Sequence, residues 1–411
     1  MNKTINRNKD KNHFIGGNQI QLLRNGAEYF PALETAFENA QVEIYIQTYI
    51  FEPDKIGARI GAALKKAAQR GVLVNVLLDG FGCKDLSAEF INDLETAGVN
   101  MMFYRPKISP WTLKKSRLRR MHRKVSVIDQ KIAFVGGINI IDDYNVPDNT
   151  PPRIDYAVRI EGKLLPSILS SVNKLWRRIS VLHLQADNLL AQASTSNKTQ
   201  IDKHQPAKKT ASSKENTNTN ISAAFILRDN VLNRRSIESA YLNAIRQAKK
   251  EIIIANAYFV PGRRFRKALL AAAKRGVSVK LLLQGRMEYF LMFATHAFYA
   301  GFLKKGVQIY EYRKGYMHSK VAVIDHEWAT VGSSNIDPFS LLLAREANVI
   351  VKDKGFANEL REDIMLSIEQ DAYHVLPEEW SNRHIAKRFL SWLAYGLVRT
   401  FVGLIGYAKQ Q

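Results

Sequence analysis

The sequence predicts an α/β protein built from two similar halves, and two observations carry this prediction. The segments "MHRKVSVIDQKIAFVGGIN" and "MHSKVAVIDHEWATVGSSN", which begin at Met121 and Met317, repeat one pattern of polar residues with every spacing preserved. The segments that begin at Val42 and Lys250 repeat a second pattern, in which an apolar stretch, an Ala-rich stretch and another apolar stretch follow one another. Duplication on this scale indicates that both halves adopt one architecture.

Each copy of the second pattern has the features of a strand, a helix and a strand. "VEIYIQTYIFEPD" is followed by a helix-like stretch ending at Gly71, and "KEIIIANAYFVPG" by one ending at Gly276. Short apolar runs between turn residues are typical of buried strands, and glycine commonly ends a helix. A further helix ending at Gly98 or Gly306 and another strand precede the repeated motif. We therefore expect mixed sheets flanked by helices.

Changes in composition divide the chain. The stretch from Gln192 to Asn220 is rich in Ser, Thr, Asn, Lys and Gln and nearly free of large apolar residues, which predicts a disordered linker. The predicted divisions are a flexible N-terminus at 1–17, a first half at 18–191, the linker at 192–220, a second half at 221–380 and a C-terminal segment at 381–411.

The composition points to an anionic partner. Sixty Lys and Arg against 38 Asp and Glu give a formal charge of +22, which suits nucleic acid, an acidic membrane surface or a phosphorylated substrate. The single cysteine, Cys83, excludes an internal disulfide and a cysteine-based metal cluster, and indicates a reducing compartment. The polar N-terminus lacks the apolar core of a signal peptide, so we do not expect export by that route.

The first half carries an insertion before its motif. His122 follows Tyr104 by eighteen positions, whereas His318 follows Tyr312 by six. The stretch from Arg105 to Lys124, here called the basic lip, holds nine Lys or Arg and no acidic residue. A solvated basic loop is one interpretation. We favour a surface that gathers phosphate groups beside the site.

The repeated motif brings together groups suited to phosphate chemistry. Side chains two apart in a strand share a face, so His122 and Lys124 should point the same way, as should His318 and Lys320. Small residues in the turn after the hairpin let backbone N–H groups approach an anionic oxygen, and asparagine adds a side-chain donor. The candidate phosphate-binding residues are Gly137, Asn139, Ser333 and Asn335.

Two such hairpins folded together would form a pocket with two His, two Lys and two Asn. A phosphodiester reaction needs a nucleophile, a proton donor for the leaving alcohol and fixed cations around the phosphate oxygens. This set supplies all three, so no metal or other cofactor is expected.

The pattern His-x-Lys-x4-Asp-x6-Gly-(Gly/Ser)-x-Asn in both halves resembles the phospholipase D superfamily. The resemblance implies two halves related by pseudo-two-fold symmetry, with the active site at their interface. It implies His122 as the nucleophile that forms a covalent phosphohistidine, and His318 as the general acid and base. The motif residues it implies for the catalytic set are His122, Lys124, Asp129, His318, Lys320 and Asp325. Within that set, we expect the two aspartates to brace the hairpins.

Two further carboxylates are candidates for orienting the histidines. Asp155 and Glu346 occupy matching places after each motif, where a strand begins. A nucleophilic imidazole needs its other nitrogen held in one tautomer, usually by a carboxylate. The resemblance implies pairing across the halves, Asp155 with His318 and Glu346 with His122. The alternative is that both are surface acids at strand ends.

The C-terminal segment favours a lipid substrate. The run from Phe389 to Tyr407 is apolar apart from Ser391, Arg399 and Thr400. A central arginine disfavours a membrane span, whereas cationic flanks and aromatic residues suit a helix lying at the membrane surface. A helix that packs on the enzyme is the alternative.

The chain resembles the bacterial cardiolipin synthases, in particular the shorter B type, in its basic lip, its C-terminal segment and its duplicated motif. This resemblance implies phosphatidyl transfer from phosphatidylglycerol, or possibly another phospholipid donor, to the glycerol hydroxyl of a second phosphatidylglycerol. It implies an anionic phospholipid membrane as partner and a peripheral location on the cytoplasmic face of the bacterial inner membrane. The alternatives are a phospholipase D hydrolase and a nuclease, although no specific nucleic acid partner is expected. The sequence predicts no oligomeric state.

Overall fold

The structure of the protein, a computed structural model, describes most of both halves. The described residues are 13–106, 119–146, 152–191, 220–229, 233–286, 294–338, 340, 343–381, 391, 393, 395–397 and 400. Most of the basic lip, the predicted linker up to residue 219 and most of the C-terminal segment lie outside these ranges.

The two halves repeat one order of elements. The first half contains β1 (Ile15–Arg24), α1 (Asn25–Glu38), β2 (Glu43–Thr48), α2 (Lys55–Gln69), β3 (Leu73–Asp79), α3 (Ala88–Thr96), β4 (Asn100–Tyr104), β5 (Arg120–Met121), β6 (Lys124–Ile128), β7 (Ile132–Gly136), β8 (Tyr156–Gly162) and α4 (Leu165–Ala191). The second half contains β9 (Ile221–Arg228), α5 (Ser236–Gln247), β10 (Glu251–Asn256), α6 (Arg263–Lys274), β11 (Ser278–Gln284), α7 (Tyr299–Leu303), β12 (Gln308–Tyr312), β13 (Lys320–Ile324), β14 (Trp328–Gly332), β15 (Ala344–Lys352), α8 (Lys354–Asp371), β16 (Ala372–His374) and α9 (Pro377–Ser381). The predicted α/β class is confirmed.

One mixed sheet runs through both halves. Its strand order is β16-β12-β11-β10-β13-β14-β15-β9-β1-β8-β7-β6-β2-β3-β4, with the short β5 paired to β15. The halves join where β1 and β9 pair antiparallel, at Ile15 with Ala223 and Asn18 with Ile221. Strand β1 therefore begins three residues before the predicted start of the first half at residue 18. Pairing between the halves extends the strand into the stretch predicted as flexible.

Helices end where the sequence predicts, for a local reason. Gly71 and Gly276 follow helices α2 and α6 with φ angles of 88° and 86°, in the left-handed region that glycine enters at little cost. Helix α2 also begins at a side-chain cap, because the Asp54 carboxylate accepts hydrogen bonds from the backbone N–H groups of Ile56 and Gly57. These ends fix the strands that follow each helix.

Three hydrophobic cores hold the sheet and helices together. One lies under α1, α2 and α3 of the first half, and a second lies under α5, α6 and α7 of the second half. The third is shared by both halves and includes Val125 and Val127 of β6, Val321 and Val323 of β13, and residues of α4 and α8. The two copies of the repeated hairpin thus pack into a single core, which brings their polar ends together.

Across the described ranges, no helix combines the length and apolar character that crossing a bilayer requires. At the C-terminus, Ser391 is buried and the Tyr395 ring packs edge-on against Phe298 at 4.8 Å between ring centroids. Leu393 and Leu397, one helical turn apart, are 47% and 54% exposed. One side of this stretch therefore contacts the enzyme, as the alternative interpretation expected, and another side presents leucine to the surroundings.

Candidate active site

The structure pairs each motif histidine with a carboxylate from the opposite half. His122 Nδ1 lies 3.1 Å from both carboxylate oxygens of Glu346, and His318 Nδ1 lies 2.6 Å from Asp155 Oδ2. Both carboxylates are buried. A buried carboxylate at Nδ1 favours the tautomer that carries its proton there, which leaves the Nε2 lone pair available to a substrate.

Backbone pairing between the halves sets these contacts. The His122 N–H donates to the Arg345 carbonyl at 3.0 Å, and the His318 N–H donates to the Ile154 carbonyl at 2.8 Å. Each histidine is therefore hydrogen-bonded to the residue just before its carboxylate partner. The same arrangement occurs twice because the two halves follow one repeat.

The histidines lie just before the strands and not within them, which corrects one prediction. Strands β6 and β13 begin at Lys124 and Lys320, so a shared strand face does not align each histidine with its lysine. Instead, each lysine ammonium folds back and donates to the carbonyl of the histidine two residues earlier, at 2.8 Å for Lys124. Lys320 Nζ also lies 3.6 Å from Asp155 Oδ2.

The surroundings of both lysines disfavour the charged form of the side chain. Burial and, after it, the neighbouring Lys320 ammonium lower the pKa of Lys124 to about 7. Burial likewise lowers the pKa of Lys320 to about 8, although Asp155 and Glu346 oppose the change. Two ammonium groups kept close together out of water favour an anion between them, because an anion would offset both effects.

The same environment keeps the histidines neutral. Burial lowers the pKa of His122 below its usual value despite Glu346, and Lys124 adds to the decrease. Burial and Lys320 lower the pKa of His318 to about 3. Burial alone would raise the pKa of Asp155, but Lys320 and His318 outweigh it and the pKa falls. An ionised carboxylate beside a neutral imidazole is the state that a nucleophilic histidine requires.

The motif aspartates lie away from these groups and brace the hairpins. The Asp129 carboxylate accepts three backbone hydrogen bonds, from residues 41, 42 and 43, at 2.8–2.9 Å. Asp325 accepts the equivalent three from residues 249, 250 and 251, at 2.7–3.0 Å. Both thus tie the hairpin turn to the start of the neighbouring strand, and the place of these aspartates in the catalytic set stays a prediction.

Gly137 and Ser333 occupy matching positions with different contacts. The Ser333 hydroxyl donates to Glu346 Oε2 at 2.5 Å and accepts from the Ala347 N–H at 3.1 Å. A Cβ atom at Gly137 would collide with the Asp155 carboxylate. Glu346 thus has Ser333 as a hydrogen-bond partner, whereas the Asp155 carboxylate occupies the space that a side chain at Gly137 would need. Both positions thus contact the carboxylates that hold the histidines, and their role in phosphate binding stays a prediction.

The two asparagines also differ. Asn139 lines the cavity, and its Oδ1 accepts a hydrogen bond from the Ile50 N–H at 3.2 Å. Asn335 is buried, and its Oδ1 has no hydrogen-bond partner among the described residues. Only Asn139 is thus placed beside the space where a substrate would bind.

Both histidines open into one cavity of about 540 Å³. Its walls include side chains that the sequence interpretation did not single out, namely Tyr49, Phe81, Arg153, Tyr258, Arg286 and Tyr316. Tyr49 packs edge-on against His122, with 4.8 Å between ring centroids. Tyr49 and Tyr258 lie in the two repeated segments that begin at Val42 and Lys250, so the repeat could have indicated both as residues of the site. The arginines lie outside the repeated motif and carry no such signal.

Comparisons with known proteins agree with this arrangement. A sequence profile of the family described as "Cardiolipin synthase, PLD-like domain" matches residues 33–149 and 241–365. Cardiolipin synthase B of Salmonella typhi is 41% identical over 392 residues, which cover 95% of this chain and 90% of the relative. Cardiolipin synthase B of Escherichia coli (strain K12) is 40% identical over 402 residues, with 95% and 90% covered.

A solved structure shares the fold. The crystal structure of phosphatidylserine synthase from Haemophilus influenzae Rd KW20 superposes with a TM-score of 0.68, at 16% identity, over 96% of each chain. At this identity the likeness concerns architecture alone. The two matched profile segments contain one motif histidine each, and the full-length similarity to the two relatives extends over both halves. The chain therefore belongs to the cardiolipin synthase family of PLD-like proteins and carries the PLD-like domain twice.

Proposed function

We propose that this protein is a cardiolipin synthase, which transfers a phosphatidyl group from one phosphatidylglycerol to another and releases glycerol. The observation that carries the proposal is the pair of histidines, each with a buried carboxylate at Nδ1, that line one cavity, with a buried lysine bonded to the carbonyl of each. Relatives with the printed name Cardiolipin synthase B support the choice of substrate. The reaction exchanges one phosphate ester for another, so it needs no nucleotide.

In the first step, His122 Nε2 attacks phosphorus and the bond from phosphorus to the glycerol oxygen breaks. His318 gives its proton to that oxygen, and glycerol leaves. Burial and the nearby Lys320 ammonium hold the pKa of His318 down; the negative phosphodiester offsets the ammonium charge, so substrate binding favours protonated His318. The phosphatidyl group is now bonded to His122.

In the second step, the terminal hydroxyl of another phosphatidylglycerol enters. His318, now neutral, removes the hydroxyl proton, the oxygen attacks phosphorus, and the bond to His122 Nε2 breaks. Cardiolipin forms, His122 is free again, and His318 carries a proton as it did at the start of the first step. Lys124 and Lys320 stabilise the charge on the phosphate oxygens in both steps.

Transfer to a lipid alcohol in preference to water needs a cavity that holds little water. Apolar and aromatic side chains form part of its wall, among them Tyr49, Ile50, Phe81 and Ile141. These surfaces suit glycerol carbons and the upper acyl region of a lipid. A hydrolase of the same superfamily would use the same first step and would accept water in the second.

The test is a product analysis. Purified protein is incubated with labelled phosphatidylglycerol in mixed micelles, and the lipid products are separated. We expect cardiolipin and an equal amount of glycerol. Phosphatidic acid as the sole product would make the protein a hydrolase, and cleavage of single-stranded DNA without any lipid product would overturn the choice of substrate.

We also propose that the protein lies at the surface of an anionic membrane, on its cytoplasmic face. The exposed Leu393 and Leu397 support a shallow apolar contact, and the positive net charge supports attraction to acidic headgroups. Both contributions are additive, because one is apolar burial and the other is electrostatic.

Replacing both leucines by aspartate should weaken membrane binding about tenfold or more, since two apolar contacts become two charges that acidic lipid repels. Flotation with vesicles containing phosphatidylglycerol measures the bound fraction. Exchange of exposed Leu366 on helix α8 for aspartate is the matched control and should leave binding unchanged. Equal flotation of the double variant and the wild type would contradict a role for this surface.

A further inference from the structure

The cavity holds positive charge beyond the two motif lysines. Arg153 and Arg286 both line it. Arg153 directly precedes Ile154, whose carbonyl accepts a hydrogen bond from the His318 N–H. The Arg286 guanidinium lies over the Tyr316 ring at 5.5 Å and donates to the backbone carbonyls of Arg313 and Lys314 at 3.3 Å. Arg153 donates to the Asn145 carbonyl at 3.1 Å. Contacts with neutral carbonyls position the guanidinium groups without cancelling their charge.

The first half carries a matching pair, in which Phe81 lines the cavity and Arg120 does not. In the repeat, Phe81 matches Arg286 and Arg120 matches Tyr316. The Arg120 guanidinium lies over Phe81 at 4.7 Å, so arginine and aromatic ring have exchanged places between the halves. Each half therefore has one stacked guanidinium beside its histidine.

The acid beside each pair breaks the symmetry. Burial raises the pKa of the Asp79 carboxyl overall, and the nearby Arg120 guanidinium lowers it in part. The residue that matches Asp79 in the second half is Gln284, which is neutral and lines the cavity. Arg153 does lie near a carboxylate, Asp143, which accepts a hydrogen bond from the Gly26 N–H at 2.6 Å. The two guanidinium groups that line the cavity, those of Arg153 and Arg286, thus have a neutral Gln284 beside them where the first half has an acid.

We propose that Arg153 and Arg286 bind the second phosphate of the reaction, the one that belongs to the acceptor lipid. This inference rests on the proposed function, because only transfer between two phospholipids places two phosphodiesters in one cavity. The first phosphate reacts between the histidines and the lysines. The acceptor presents its hydroxyl to His318, and its own phosphate lies one glycerol unit away, on the side where the two arginines are. Guanidinium is well suited to phosphate oxygens.

A competition between acceptors tests this assignment. Wild type and variants receive labelled phosphatidylglycerol in mixed micelles together with ethanol, a neutral acceptor that yields phosphatidylethanol. Arg286→Gln and Arg153→Gln should each lower the ratio of cardiolipin to phosphatidylethanol by about tenfold or more, because only the lipid acceptor carries a phosphate. Arg286→Lys keeps the charge and should restore part of the ratio. Arg246→Gln, on the exposed face of helix α5, is the matched control and should behave as wild type.

The outcomes separate the two proposals. A fall in both products by the same factor, with the ratio unchanged, would overturn the acceptor subsite and leave the synthase function standing. Phosphatidylethanol without cardiolipin from the wild type would overturn the synthase function, and the subsite with it. Thermal unfolding of each variant identifies any loss of activity caused by misfolding. If Arg286→Gln does not fold, the product ratio of Arg286→Lys is compared with that of wild type instead.

Discussion

Replacing His122 by alanine should lower the rate of cardiolipin formation at least about 10⁴-fold, because the variant has no group to form the covalent intermediate. His122 is held by Glu346 and by backbone pairing from its own N–H, so the truncated side chain removes chemistry without removing the pairing of the strands. Initial rates with labelled phosphatidylglycerol measure the loss. Activity of the variant above about one per cent of wild type would contradict the assignment.

His318→Ala should give a loss of similar size with phosphatidylglycerol but a different result with an activated substrate. A nitrophenol leaving group needs no proton donor, so the first step should stay within about tenfold of wild type. The second step still needs a base. We therefore expect a burst of nitrophenol equal to the enzyme present and then slow turnover. Steady release of nitrophenol at the wild-type rate would remove His318 from the second step.

The exchange of Glu346 for Gln should lower the rate by about 10²–10⁴-fold. An amide can donate to His122 Nδ1 as well as accept from it, so it no longer holds the proton on that nitrogen. The Nε2 lone pair that attacks phosphorus is then lost in part of the molecules. Ser333 also loses its charged acceptor, because its hydroxyl contacts the same carboxylate.

Asp155→Asn should produce a comparable loss through the other histidine. Asp155 Oδ2 contacts both His318 and Lys320, so the variant removes the negative charge that favours a protonated His318. With the nitrophenol substrate, the burst rate of Asp155→Asn should be close to that of wild type. The burst rate of Glu346→Gln should remain low. Equal behaviour of the two variants with both substrates would contradict the separate roles. Unfolding temperatures serve as the control for both.

Sequence alone predicts the site best where the chemistry depends on local spacing. The repeated motif located both histidines and both lysines, and the matching positions of Asp155 and Glu346 indicated the carboxylates that the structure places beside them. The helix ends at Gly71 and Gly276 were predictable because a glycine with positive φ ends a helix through its own backbone conformation, without contacts to distant residues.

Features that depend on contacts between distant segments were not predictable in this way. The pairing of β1 with β9 joins segments more than 200 residues apart, as in the contact between Ile15 and Ala223. The histidines precede their strands because their N–H groups bond to the opposite half, which no local pattern encodes. The arginine and aromatic pairs became visible only when the two halves could be compared around one cavity.

The covalent intermediate is the most direct test of the account. His318→Ala is mixed with a nitrophenyl ester of phosphatidic acid, quenched at alkaline pH, where phosphohistidine survives, and digested for mass spectrometry. We predict a phosphatidyl group on the peptide that contains His122, in an amount matching the burst. The same group on another residue, or a full burst that leaves no covalent adduct, would contradict nucleophilic attack by His122.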